Sequence, residues 1–138
     1  MIRYLADSTA VWRLQRDRKL NALWSHELDD GAIGSCAAQR TEFLQSARSL
    51  DEYEHMTDMF ADLHPDVAVP KGAWRWIEAA QHRLAQRGQH QSLSTVDWLV
   101  CATAAHHGLV VLHDDQDYRT AARVLTDLAE RNVYAAPM

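Results

Sequence analysis

Three aspartates crowd the stretch VVLHDDQDY, residues 110–118, where the apolar run Val110–Leu112 gives way to Asp114, Asp115 and Asp117. A strand that ends on carboxylates places negative charge at the carboxyl edge of a sheet, where α/β proteins bind ligands. Two more acids sit at comparable junctions. Asp7 directly follows IRYLA, and Asp97 opens the nearly all-apolar stretch DWLVCATAA. Both have a plain structural reading as helix-start residues, because Asp accepts backbone N–H bonds there and the helix dipole favours its charge. Asp97 goes further, since a carboxylate at the mouth of a buried helix needs a partner that offsets its desolvation. Glu42 is weaker by pattern: Cys36, Phe43, Leu44 and Ala47 mark the packed side of its helix, and Glu42 faces away with Ala38 and Ser46. Carboxylates converging at one sheet edge repel one another unless cations intervene. Oxygen ligands select Mg²⁺ or Mn²⁺ over zinc, and such ions serve phosphodiester hydrolysis by activating water and stabilising the leaving oxygen.

The elements that must bring these acids together alternate between strand and helix. MIRYLA reads as a short strand, with Ser8 and Thr9 capping a helix through Ala10, Val11, Trp12 and Leu14. Leu20, Leu23, Trp24 and Leu28 keep helical spacing, GAIGSC is a weak strand, and a helix spans about 37–47. Tyr53, Met56, Phe60 and Leu63 mark the inner face of the next helix, and DVAV is a short strand candidate. Trp74, Ile77, Ala80 and Leu84 share a face of the helix that ends at Gly88. Residues 97–105 form a helix buried on all sides and LVVLH the clearest strand. A last amphipathic helix is expected over 118–130, with VYAA as an edge strand. Asp114 is assigned to the start of that last helix, pointing opposite to Asp115. The alternation predicts a mostly parallel sheet covered on both faces.

Composition narrows the classes. A chain of 138 residues, 47% hydrophobic and 24% charged, fits one soluble domain with its own core. No run is long enough to span a bilayer, no signal peptide is read, and Cys36 and Cys101 look like reduced core thiols, so the cytoplasm is the expected compartment. A net charge of −5 argues against bulk electrostatic grip on nucleic acid, although bound cations supply positive charge locally. Eight histidines raise a zinc alternative, but His106 and His107 are adjacent and no HExxH or cysteine pair occurs. A phospho-receiver module would want two acids after the first strand and a lysine after a late one; only Asp7 stands at the first, and the lysines are Lys19 and Lys71. The tryptophans Trp12, Trp24 and Trp76 are candidates for an interaction surface, with ordinary core packing as the plainer reading.

The segments YLADST, QRTEFL and SLSTVDWLVCATAAHHGLVVLHDDQDY, in that order, resemble the PIN-domain ribonucleases, and in particular the VapC toxins of bacterial toxin–antitoxin pairs. The resemblance covers nearly the whole chain. It implies a PIN-like α/β/α sandwich over residues 1–138 and a Mg²⁺-dependent endoribonuclease, with Mn²⁺ as a substitute. On this likeness Asp7, Asp97 and Asp115 are metal ligands, Glu42 completes the acidic quartet, and Asp117 is an additional acid. Ser8 or Thr9 could bond a ligand carboxylate or the scissile phosphate. The resemblance further implies an RNA substrate such as transfer or ribosomal RNA, a cognate antitoxin that enters the active-site groove, and a homodimer. His113 stands where the family commonly has Thr or Ser and is a candidate RNA contact or a strand-end histidine satisfied by backbone. Asp114 would add negative charge, Trp98 is bulky beside Asp97, and Arg119 is a candidate phosphate clamp or an ordinary exposed helix arginine. A PIN fold kept as a catalytically silent binding module is the alternative.

Overall fold

The computed structural model describes residues Met1–Met138. Four strands, β1 (Tyr4–Ala6), β2 (Ile33–Gly34), β3 (Val110–His113) and β4 (Ala129–Asn132), form a parallel sheet in the order β2-β1-β3-β4. Eight helices surround it: α1 (Ser8–Arg16), α2 (Arg18–Leu23), α3 (Ser25–Asp29), α4 (Ala37–Leu44), α5 (Leu50–Leu63), α6 (Ala73–Ala85), α7 (Thr95–His107) and α8 (Gln116–Ala122). Alternation of side chains along the central strands divides the core. Tyr4, Ala6 and Leu112 pack with α1–α3, Phe43 and Phe60 on one face; Leu5 and Val111 pack with α6, α7 and Tyr118 on the other. The expected layered α/β fold is therefore present, and no helix is long and apolar enough to cross a membrane.

α7 is buried along Trp98, Val100–Ala104, as its all-apolar sequence predicts. Its small residues let α4, α6 and β1 close on it. Gly34, by contrast, is fixed by space: a Cβ there would lie 2.7 Å from the Val67 side chain and 3.0 Å from the Pro65 carbonyl oxygen.

Several elements differ from their sequence reading. The helical spacing through Leu20 and Leu28 is cut into α2 and α3 at Trp24, which is fully buried and donates its indole N–H to the Val133 carbonyl at 2.8 Å. Trp24 is core, not a partner surface. The inner stripe of α6 holds Ile77, Ala80 and Leu84 as expected, but its first member is Ala73 rather than Trp74, which is 54% exposed. On α5 only Phe60 is buried, while Tyr53 faces solvent. DVAV makes one bridge, Ser35 to Asp66, rather than a strand.

The largest correction concerns the C-terminal segment. α8 stops at Ala122, and Ala129–Asn132 forms the edge strand one segment before VYAA. Leu125 and Leu128 have helical spacing but lie buried in the connecting turn. The exposed backbone groups of β3 need partners, and β4 supplies them through the pairs Val110–Ala129 to His113–Asn132. Its charged sequence AERN suits an edge that must not pair further.

Candidate active site at the carboxyl edge of the sheet

β1 and β3 lie side by side, so their carboxyl ends deliver Asp7 and the Asp114–Asp117 segment to one edge. The Asp7 N–H donates to the Leu112 carbonyl at 3.0 Å, which locks the two exits together. Asp7 is buried and caps α1, its Oδ1 accepting from the Ala10 N–H at 2.9 Å and the Thr9 hydroxyl at 2.7 Å. Thr9 in turn accepts the Asp114 N–H at 2.8 Å, so it ties the first acid to the third segment. Burial pushes the Asp7 pKa up to about 7; the bonds from Ala10 and Thr9 oppose this, and the charge of Asp97 adds to it.

Asp97 is held by a capping box. Ser94 is the N-cap, its hydroxyl accepts the Asp97 N–H at 3.1 Å, and Asp97 Oδ2 accepts the Ser94 N–H at 3.0 Å. Asp97 thus stands in the first turn rather than at the cap itself. Its other oxygen, Oδ1, accepts the Tyr118 hydroxyl at 2.8 Å. Tyr118 is fully buried, and burial together with the charges of Asp7 and Asp97 raises its pKa well above the usual phenol range, so it remains a donor. Cys101 lies behind the same two acids, with its pKa likewise raised first by burial and then by Asp97 and Asp7, which keeps it an inert thiol.

Asp115 caps α8, with Oδ1 accepting the Asp117 N–H at 2.9 Å. This reverses the expected roles of the adjacent pair. Asp114 instead bonds Arg13 at 2.8 Å and the Asn132 side-chain amide at 3.3 Å, so its charge is countered and directed away. Asp117 has a raised pKa, from partial burial first and then from Asp115 and Asp97, which places it beside both.

Asp97 is thus within electrostatic reach of both Asp7 and Asp117, and Asp117 is bonded through its N–H to Asp115. Glu42 is half-buried on α4 and makes no side-chain hydrogen bond or ion pair with them. Gln39, one turn earlier, is fully buried and donates to the Ser8 hydroxyl at 3.2 Å, so the same side of α4 leans on the segment after Asp7. Ser8 is thus held from within. His113 is 1% exposed, and its ring nitrogens meet the Asp115 N–H and Glu130 rather than solvent. Arg119 is exposed and lines a hollow of about 310 Å³ with His113, Gln116, Glu130, Arg131 and Asn132. Tyr118, Gln39 and Glu130 are the contributors that sequence reading did not single out.

No three His, Cys, Asp or Glu side chains are close enough, as placed, to hold a metal ion outright. The donors nonetheless fit a hard divalent cation. All are carboxylates, and the burial and mutual repulsion that push up the Asp7 pKa are the two costs a cation relieves.

This arrangement of fold and acids is a PIN domain: the PIN-domain family model matches residues 4–124, and the chain belongs to that family. Among curated relatives, Ribonuclease VapC6 of Mycobacterium tuberculosis is 57% identical over 105 residues, 76% of this chain and 83% of the relative. Ribonuclease VapC21 of the same species is 30% identical over 122 residues, 88% of each. Solved structures share the fold at low identity. VapBC-1 from nontypeable Haemophilus influenzae matches with TM-score 0.76 at 13% identity, over 98% of this chain and 100% of that one. VapBC2 from Rickettsia felis, bound to a promoter DNA fragment, matches with TM-score 0.74 at 14% identity, over 96% and 98%.

Proposed function

We propose that this chain is a metal-dependent endoribonuclease toxin of the VapC type, hydrolysing RNA phosphodiester bonds and silenced by a cognate antitoxin. The observation that carries the reading is that Asp7 and Asp97, far apart in sequence, come within electrostatic reach of each other at the carboxyl edge of the sheet, with the buried Tyr118 hydroxyl bonded to Asp97. The kinship to Ribonuclease VapC6 supports the same assignment. Mg²⁺ is the proposed ion, with Mn²⁺ as substitute. Asp7, Asp97 and Asp115 would hold it, and when bound it supplies Lewis acidity and an acidified water. Asp117 adds charge at the rim, and Glu42 is assigned to orienting the attacking water. Arg119 faces the neighbouring hollow, where an RNA phosphate would meet an unengaged guanidinium.

The purified chain is expected to cut structured RNA in Mg²⁺, to stop in excess chelator, and to resume on addition of Mn²⁺. RNA cleavage unchanged by chelation would contradict the metal assignment, and no cleavage under any condition would favour the silent binding module.

The antitoxin is proposed to dock on the face of α1, α4 and α5. Trp12 stacks on Phe43 with ring centroids 4.2 Å apart, and the Arg16 guanidinium sits 4.2 Å from the Trp12 ring. Beside them Met56, Met59 and Arg48 line a hollow of about 320 Å³. Methionines and a partly exposed tryptophan give an adaptable apolar surface for a helix or extended segment. Trp12→Ala is expected to weaken antitoxin binding by about 2 kcal/mol or more, roughly thirty-fold, in a calorimetric titration. Unchanged affinity would place the antitoxin elsewhere.

A further inference from the structure

β3 ends on a histidine that is almost wholly buried at the floor of the hollow beside Arg119, and both its ring nitrogens are engaged. His113 Nδ1 accepts the N–H of Asp115 at 3.0 Å, and Nε2 meets Glu130 Oε1 at 2.9 Å. A backbone N–H can only donate, so Nδ1 carries the lone pair and Nε2 the hydrogen. The ring is therefore held in one tautomer and one orientation. The bond from Nδ1 to a backbone two residues on is the geometry an Asx or ST turn uses to shape the start of a helix. Here it sets the backbone of the residue whose carboxylate caps α8. The same ring packs against Tyr118, centroids 4.9 Å apart, and Tyr118 bonds Asp97. One imidazole thus backs two of the acids from below, and Glu130, on the edge strand, anchors it.

We propose that His113, anchored by Glu130, is a positioning residue for the metal site: it fixes the Asp115 turn and seats Tyr118 against Asp97. This rests on the reading of the acids as metal ligands. It gives β4, whose residues carry none of those ligands, a direct part in the site. It also accounts for the Glu130 carboxylate, which turns from the edge strand onto a ring that is 2% exposed at its side chain. Groups that orient metal-binding side chains from behind typically govern affinity or activity by roughly 10–100-fold.

The test is direct Mn²⁺ binding, read by electron paramagnetic resonance of the free ion, on the full chain and four variants alongside Asp97→Asn. Glu130→Ala is expected to weaken Mn²⁺ binding about ten-fold or more, with a thermal midpoint close to that of the parent chain, because Glu130 is partly exposed. Glu130→Gln keeps an acceptor for Nε2 and should recover most of that loss. His113→Phe should lose at least as much as Glu130→Ala. His113→Asn, able to accept the Asp115 N–H by its own side-chain oxygen, should recover part of it. If Glu130→Gln binds as poorly as Glu130→Ala, the effect is one of charge alone and positioning is overturned. Parental affinity in both Glu130→Ala and His113→Phe, with binding lost in Asp97→Asn, would overturn it while leaving the acid site standing. Mn²⁺ binding indifferent to Asp97→Asn would remove the acid site itself, and this inference with it.

Discussion

Asp97→Asn is expected to abolish ribonuclease activity while leaving the fold intact. The fold survives because asparagine can repeat both bonds of the native side chain. Its oxygen accepts the Ser94 N–H, preserving the capping box, and its amide N–H₂ turns to the Tyr118 oxygen, which then accepts instead of donating. What is lost is a full negative charge beside Asp7 at the sheet edge. Metal stabilisation of a phosphoryl transition state is worth several kcal/mol, so losing the ion's seat should lower the rate by about three powers of ten. Gel-based RNA cleavage paired with circular dichroism checks both halves. A folded Asp97→Asn protein with parental activity would refute the assignment.

The second large effect is on stability, and it runs against intuition. Asp7→Asn should inactivate the enzyme yet make the metal-free protein more stable at neutral and alkaline pH. Asp7 has a folded-state pKa near 7 against 3.8 for the free side chain, raised chiefly by burial. Between those values the folded chain keeps a proton that the unfolded chain has released, so stability is fullest below about pH 4. It falls as pH rises through about 7 and then levels off. Asparagine carries no charge to desolvate and still accepts from the Ala10 N–H and the Thr9 hydroxyl, so it also remains a sound cap. Thermal melts in chelator should show the parental midpoint dropping between pH 4 and 8, while the variant's changes less. At pH 8 the variant should melt higher, by roughly 2–4 °C for each kcal/mol of relieved strain. Added Mg²⁺ should narrow the gap by stabilising only the parent, through binding to the folded state. Parallel pH profiles for the two proteins would mean that Asp7 is not the group that carries the slope.

The readable parts of this site were those in which local pattern and tertiary role coincide. Asp7, Asp97 and Asp115 each stand where an apolar element meets a helix start, a junction that leaves a mark in sequence whether or not chemistry follows. The parallel sheet was readable for the same reason, since its two central strands are apolar runs closed by acids. α7, with a small or apolar residue at nearly every position, could only be interior.

What escaped depends on pairing across distance. Leu125 and Leu128 have helical spacing, so the segment was expected to continue as helix; the demand of β3 for a backbone partner overrode that local signal. With β4 misplaced, Glu130 could not be brought to His113, and an imidazole with two internal partners could equally be read as facing RNA. Tyr118 looked like an ordinary helix residue, because nothing local shows that its hydroxyl reaches Asp97. Trp24 and Trp12 have similar neighbours in sequence, yet one is a core residue bonded to Val133 and the other a stacked, partly exposed plate. The different duties of Asp114 and Asp115 also hinge on Arg13, contributed by α1.

The most direct measurement is anomalous diffraction from crystals of the chain grown with Mn²⁺. The expected result is a manganese peak coordinated by carboxylate oxygens of Asp7 and Asp97, with Asp115 bound directly or through water, and a weaker or absent peak in Asp97→Asn crystals. Manganese found only elsewhere, such as at His106 and His107, with the Asp7–Asp97 edge vacant at saturating ion, would contradict the site as described.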